Sequence, residues 1–367
     1  MSSWVSTTTP ETAQRGRASR FGAAARQLLG VAFGLSLLLT ACGGGGNAND
    51  TRGPITATGD ALIEAARGEG TLTVYSNMSP QNLKQLVDVF EKKFDITVEG
   101  VDIDSTLGTR YMSEAQSGQM VADVVIMPTD WKFIEDARQA GFIAPISDLG
   151  VEAIASGAYP KQFLSDDGIA LLGLSPLGIA VNTNMVPDGA IKDWLDLTRP
   201  EYAGKIIVPD PRTSTYYLQS MDALYGELGP EFFQALGKNN PRGYVSGGEG
   251  AQQLAGGEAA LMFPCSLDTF ASVIADGAPV KWIPMATTSA YQYAVIPTSP
   301  QLTPHPNAQK LFVDYFLSKE GNLDLYSVGG DKSVYAPADQ LPANLITQRD
   351  PRQIDTLDPM VSALNLK

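Results

Sequence analysis

Histidine is nearly absent from this sequence, one in 367 residues, and cysteine is scarce, with two. The chain carries no HExxH, no GxSxG and no close Cys/His pair. Zinc-hydrolase, serine-hydrolase and cysteine-protease constellations therefore have nothing to be built from. Basic charge is also short: 26 lysines and arginines stand against 40 aspartates and glutamates, a net charge of −14. That balance argues against nucleic-acid binding and against a basic membrane-surface patch. Low complexity is confined to a short glycine run, and 44% hydrophobic with 18% charged residues is the composition of an ordinary globular protein. A chain of this length buries one large core or two modest ones, so two lobes are expected. Carboxylates are plentiful, which leaves a two-carboxylate glycoside hydrolase as the enzyme class that inventory does not exclude.

Long apolar runs are missing except near the N-terminus, where Arg15, Arg17, Arg20 and Arg26 precede an apolar stretch from Leu28 to Ala41. The stretch is shorter than the roughly 20 residues a membrane-spanning helix needs and is interrupted by Gly30, Gly34 and Ser36, so it reads as an export signal. Leu39-Thr40-Ala41-Cys42 resembles the lipobox of bacterial lipoproteins, in which the signal is removed and the cysteine becomes a lipidated residue one. On that reading residues 1–41 are a signal peptide, and residues 42–57 are a lipidated cysteine and a flexible, Gly- and Asn-rich tether. The protein is then held at the periplasmic or extracytoplasmic face of the cell envelope. Only Cys265 remains, so no intramolecular disulfide forms and packing alone must hold the fold.

From Ala61 strand and helix patterns alternate. LTVYSN (72–77), ITVEGVDI (96–103) and DVVIM (123–127) read as strands. Leu83, Leu86, Val87, Phe90 and Phe94 recur at helical spacing behind Ser79-Pro80, a cap and first-turn pair. A weaker helix over 108–116 and another marked by Trp131, Phe133, Ile134 and Ala137 complete a βαβαβα series, which implies a mostly parallel sheet with helices on its faces. A second series follows GLSPLGIAVNTN (173–184), with KIIVP (205–209) as a strand and Tyr217, Met221, Leu224, Tyr225 and Leu228 as one helix face. YQYAVIP (291–297) reads as a strand returning to the first unit.

Four pieces in order, LTVYSNMSPQNLKQLVDVFEKKFDITVE, ADVVIMPTDWKFIEDARQAGFIAPI, DWLDLTRPEYAGKIIVPDP and HPNAQKLFVDYFLSKEG, resemble the extracellular solute-binding proteins of ABC importers. The likeness is to the branch that holds ferric-, thiamine- and aminoethylphosphonate-binding proteins. It implies an α/β, two-lobed periplasmic-binding-protein fold of type II, each lobe a mostly parallel sheet flanked by helices, the two joined by crossing strands. Lobe 1 is then 58–176, lobe 2 is 177–290, and 291–367 returns to lobe 1 with C-terminal helices. It also implies a monomer without cofactor or catalysis, which captures a small molecule between lobes and delivers it to an inner-membrane permease.

Ligands of open α/β sheets sit beyond the carboxyl ends of strands. The candidate loops are therefore Ser76 and Asn77 with Ser79, then Ser105 and Thr106, then Thr129 and Trp131, each equally readable as turn, cap or core chemistry. Asp130 reads as a helix-start acid. After KIIVP come Arg212, Thr213, Ser214 and Thr215, with a helix expected from Thr213. A helix start with added hydroxyls binds anions, although one of them could merely cap it. Phe263 could line the cleft from the end of AALMF, and Asp268 either meets an ammonium group or caps the helix after it. Cys265 reads as a small buried residue and His305 as a surface one. Where ferric-binding relatives clamp the metal with His, Glu and two Tyr, the matching positions here are Ser79, Pro128, Leu267 and Asp268. The resemblance thus points to an anionic or zwitterionic organic solute, a phosphonate, phosphate ester or carboxylate. Ferric iron or an iron chelate is the alternative within the family.

Overall fold

The computed structural model describes residues 55, 57–104, 106–327, 329–346 and 348–366. The signal segment, Cys42 and Ser105 lie outside the described residues. Ile55 and Ala57, expected at the end of the tether, already rest against the core, because their apolar side chains find cover there.

The chain opens with α1 (Gly59–Glu69), β1 (Leu72–Ser76), α2 (Pro80–Phe94), β2 (Val98–Asp102), α3 (Leu107–Ser117), β3 (Val124–Pro128) and α4 (Trp131–Gln139). Every residue of β1 and β3 is buried, so these strands read as continuous apolar runs rather than alternations. Ser79 caps α2 by accepting from the Asn82 amide, with Pro80 at the first helical position. Leu83, Leu86, Phe90 and Phe94 form its buried stripe.

A short helix, α5 (Glu152–Ala155), precedes the long strand β4 (Ala170–Asn182), all thirteen residues of which are buried. Then follow β5 (Ile206–Pro209), α6 (Thr215–Gly237), β6 (Arg242–Tyr244), α7 (Gly247–Ala255), β7 (Leu261–Ser266), α8 (Ala271–Ala275), β8 (Val280–Pro284), β9 (Thr287–Thr288) and β10 (Ala290–Pro297). Gly229, at φ +79° and followed by Pro230, breaks α6 into two helical pieces. The tail adds α9 (Pro306–Leu317), α10 (Lys319–Leu325), β11 (Lys332–Ser333), β12 (Asn344–Leu345) and α11 (Leu357–Ala363).

One sheet runs through the molecule in the order β2-β1-β3-β10-β4-β7-β5-β6. β1 is parallel to β2 and β3, and β5 is parallel to β6 and β7. The joint is antiparallel: residues 170–176 of β4 pair with β10, while 177–182 pair with β7 and β8. The same strand thus serves two half-sheets. The core of the second half gathers Trp194, Phe232, Phe233 and Phe263 with Met360 and Leu364 of the tail. The tail therefore does not simply return to the first half. β12 pairs with β9, α11 packs on α6, and the chain crosses a third time.

Gly178 marks the tightest point of the joint. A Cβ there would stand 2.3 Å from the Ile283 carbonyl oxygen and 2.8 Å from the Trp282 ring. Gly178→Ala is expected to lower stability by about 1–3 kcal/mol, the usual cost of overpacking, read as a shifted urea midpoint. A variant as stable as the wild type would show that β8 can move aside.

Candidate functional site

The carboxyl ends of β1, β2 and β3 and the start of α6 enclose a hollow of about 310 Å³. Asn77, Asp104, Leu107, Met127 and Asp130 line one side; Pro211 to Tyr216 and Leu218 line the other, with Leu357 of α11 at the rim. The hollow therefore brings together Asn77, Arg212, Thr213, Ser214 and Thr215 from the sequence candidates. Thr106 stands beside it, its amide donating to Asp104 Oδ1 at 2.9 Å.

The α6 wall is built by a turn. Thr213 donates through both its amide and its hydroxyl to the Asp210 carbonyl oxygen, at 3.1 and 2.8 Å. The helix starts at Thr215, two residues later than expected, because that turn occupies 210–213. Ser214 is the N-cap by position, with extended backbone, yet its side chain accepts from no amide of the first turn. The helix start is left open toward the hollow. Arg212 is less available than its position suggested: its guanidinium grips Asp210, with Nε to Oδ1 at 2.8 Å and Nη2 to Oδ2 at 2.6 Å. Hydrogen bonding from Arg212 holds the Asp210 carboxyl below the usual carboxylate range.

On the opposite wall Asp130 caps α4, accepting from Lys132 and Phe133, as a helix-start acid should. The Thr106 amide lowers the Asp104 carboxyl. Tyr216 lines the hollow, its ring 4.5 Å from that of buried Tyr217, with Tyr291 of β10 edge-on to it at 5.3 Å. Burial raises the Tyr216 phenol.

Several candidates lie elsewhere. Ser76 is buried and its hydroxyl accepts from the Met78 amide. Thr129 is buried with its amide on the Gln292 carbonyl oxygen. Trp131 faces a neighbouring hollow of about 120 Å³ with Gln219, Gln292 and Gln348. Phe263 is fully buried against Trp194, Phe232 and Phe233, because the end of β7 faces the second core rather than the hollow. His305 is not a surface residue: its Nδ1 lies 2.9 Å from buried Asp123, which also accepts from the His305 amide. Cys265 is buried, and burial raises its thiol.

Asp268 caps nothing, since Leu267 holds the cap position of the short turn after β7. Its Oδ1 instead accepts the Ser175 hydroxyl of β4 at 2.9 Å. Asp331, which sequence reasoning missed, lies at the same place. β11 pairs Lys332 with Leu174, which brings Asp331 up to Ser175. A Cβ on Gly330 would stand 2.8 Å from the Leu267 side chain. Asp331 is 3% exposed; Oδ2 accepts from Asn82 at 2.7 Å, and Oδ1 has no partner. Burial, reinforced by Asp268, pushes the Asp331 carboxyl well up. The only sequence signal was an acid directly before a strand that is two residues long.

Two half-sheets around a hollow of backbone amides, hydroxyls and carboxylates define a protein shaped to receive a small polar molecule. Residues 72–322 match the family model for bacterial extracellular solute-binding proteins, and the chain belongs to that family. An uncharacterized protein of Haemophilus influenzae is 26% identical over 276 residues, 73% of this chain and 78% of that protein. Three solved structures resemble it. The substrate-binding protein of an ABC transporter from Agrobacterium tumefaciens has TM-score 0.62 and 16% identity over 80% of this chain and 94% of its own. Iron-bound HitA from Pseudomonas aeruginosa has TM-score 0.58 and 16% identity over 81% and 98%. AfuA from Actinobacillus pleuropneumoniae, with exogenous fructose-6-phosphate bound, has TM-score 0.54 and 23% identity over 81% and 97%. At these identities the likeness is one of fold, the type II periplasmic-binding-protein fold. The protein is an extracellular solute-binding protein and not an enzyme, which overturns the glycoside hydrolase alternative. Among the described residues no helix is long and apolar enough to cross a membrane.

The Asp331 carboxyl is raised above its unfolded value, so ionising it works against folding as pH climbs past that value. Asp331→Asn is therefore expected to stabilise the solute-free protein at neutral pH, with the gain shrinking below about pH 4, where unfolded aspartate is itself protonated. Thermal melts across pH check it; a gain independent of pH would assign the effect to packing.

Proposed function

We propose that the solute is a small organic anion or zwitterion, a phosphonate, phosphate ester or carboxylate, held by the first turn of α6. The observation that carries this reading is the open helix start. Its hydroxyls, at Thr213 to Thr215, line the hollow, and the Ser214 side chain takes none of its amides. Such a terminus offers backbone donors and the positive end of a helix dipole to an anion. Arg212, already paired with Asp210, contributes a dipolar edge more than a free counter-charge. Asn77 and Thr106 supply polar contacts from the facing wall, with Ser105 expected beside them.

In this reading residues 58–176 with the return through β10, α9 and α10 are one lobe, and residues 177–290 with α11 of the tail are the other. Closure of the lobes over the solute creates the form that docks on the permease. The protein acts as a monomer outside the cytoplasmic membrane, with lipidated Cys42 as its anchor and residues beyond it as a leash.

Solute binding should raise thermal stability by mass action, by about 2.7 kcal/mol at a hundredfold excess over the dissociation constant. A thermal-shift screen of phosphonates, phosphate esters, carboxylates and ferric salts tests the class, and a shift with ferric salts alone would overturn it. Ser214→Ala should weaken a hit by roughly 3- to 10-fold, the worth of one hydrogen bond. Because Ser214 makes no cap bond, its loss should cost the solute-free protein less than about 0.5 kcal/mol, half the usual capping penalty. Unchanged affinity in that variant would move the anion away from α6.

A further inference from the structure

Asp331 and Asp268 pose a problem that the anion reading leaves unsolved. One carboxylate oxygen of Asp331 is bound by Asn82, and the other is buried without a partner. A carboxylate sealed from water is costly unless something neutralises it. Asp268, which takes the one proton of the Ser175 hydroxyl, adds a second negative charge beside Asp331, and Lys332 offsets only part of the repulsion. A third group at the same place is unsatisfied: the Tyr326 hydroxyl is buried without a partner, against Gly173, where a Cβ would stand 2.1 Å from it. Gly173 and Ser175 are successive residues on one face of β4, so the orphan phenol and the carboxylates share that face.

We propose that Asp331, Asp268 and the Tyr326 hydroxyl form an ammonium subsite, which takes the primary amine of a short zwitterion whose anionic end rests on α6. The inference rests on the α6 reading for the other end of the solute. A primary ammonium presents three donors, and the locus presents three acceptors: Asp331 Oδ1, an oxygen of Asp268 and the Tyr326 phenol. A metal ion suits it less, since among the described residues no three His, Cys, Asp or Glu side chains converge.

The subsite joins the hollow through tyrosines. Tyr291 of β10 pairs with Ser175, and its ring stands edge-on, 5.3 Å away, to Tyr216, which lines the hollow. It straddles the joint as well. Asp268 follows β7 of the second half-sheet, and Asp331 leads into β11, which is paired to the first part of β4. A cation here draws the two halves together and offsets the cost of burying the Asp331 carboxylate.

The test is calorimetry on the full chain with two matched probes, O-phosphoethanolamine and ethyl phosphate. Wild type should bind the amine-bearing probe at least about tenfold more tightly, a hydrogen-bonded charge pair's worth, and Asp331→Asn should bring the two probes within about twofold. Should Asp331→Asn fail to fold, Asp268→Asn, at a partly exposed site, carries the same comparison. Equal affinity of wild type for the two probes overturns the subsite and leaves the α6 reading standing. Binding of phosphoethanolamine and ethylammonium but not ethyl phosphate, abolished by Asp331→Asn, supports the subsite and sinks the α6 reading. A preference for the amine that survives both Asn variants overturns the proposal, as does failure of wild type to bind any of the three probes.

Discussion

Everything in this molecule hangs on the antiparallel run of β4 against β8 and β10. Backbone hydrogen bonds must be satisfied once a strand is buried, and all thirteen residues of β4 are. Its first seven find partners in β10 and its last six in β7 and β8, so neither half-sheet is closed without the same strand. The constraint explains the small residues along it. Gly173 admits the Tyr326 ring, Gly178 admits β8, and Ser175 offers its hydroxyl to Asp268.

The chemistry of the hollow is set against a charge balance that points the other way. A protein of net charge −14 repels anions at long range. The arginine that lines the hollow is already paired with Asp210. Short-range devices remain: amides at a helix start and hydroxyls, which act within a few ångströms and are unscreened by the net charge. The acidic wall of Asp104 and Asp130, and Asp331 with Asp268 at Ser175 behind Tyr291, suit a solute with a positive end better than a bare anion.

Much of the architecture was legible because it depends on local pattern. The strands at 72–77 and 123–127 announce themselves as apolar runs, Ser79-Pro80 announces α2, and the hydroxyl run 213–215 marks the wall of the hollow. The exact start of α6 was not legible, because Asp210 captures Thr213 in a turn that no propensity encodes. Phe263 and Trp131 were misplaced for a related reason. Which face of a strand or helix end meets the hollow is decided by packing partners far away in sequence, here Phe232 with Phe233 and Gln348. Asp331 was invisible because its burial depends on a two-residue strand docking on β4, and so short a strand has no period to read.

The third passage of the chain changes the mechanics of the joint. β12 beside β9, Gln348 bonded to Ser289 and Ala290, and α11 seated on α6 make a linkage that is not collinear with β4 and β10. Two parallel ribbons can twist about their common axis as readily as they bend. A brace set off that axis opposes the twist more than the bend, so in the proposed closure it would hold the acids and hydroxyls on either side in one register. The Arg349–Asp222 pair, with Thr356 on the same carboxylate, acts as the rivet of that brace.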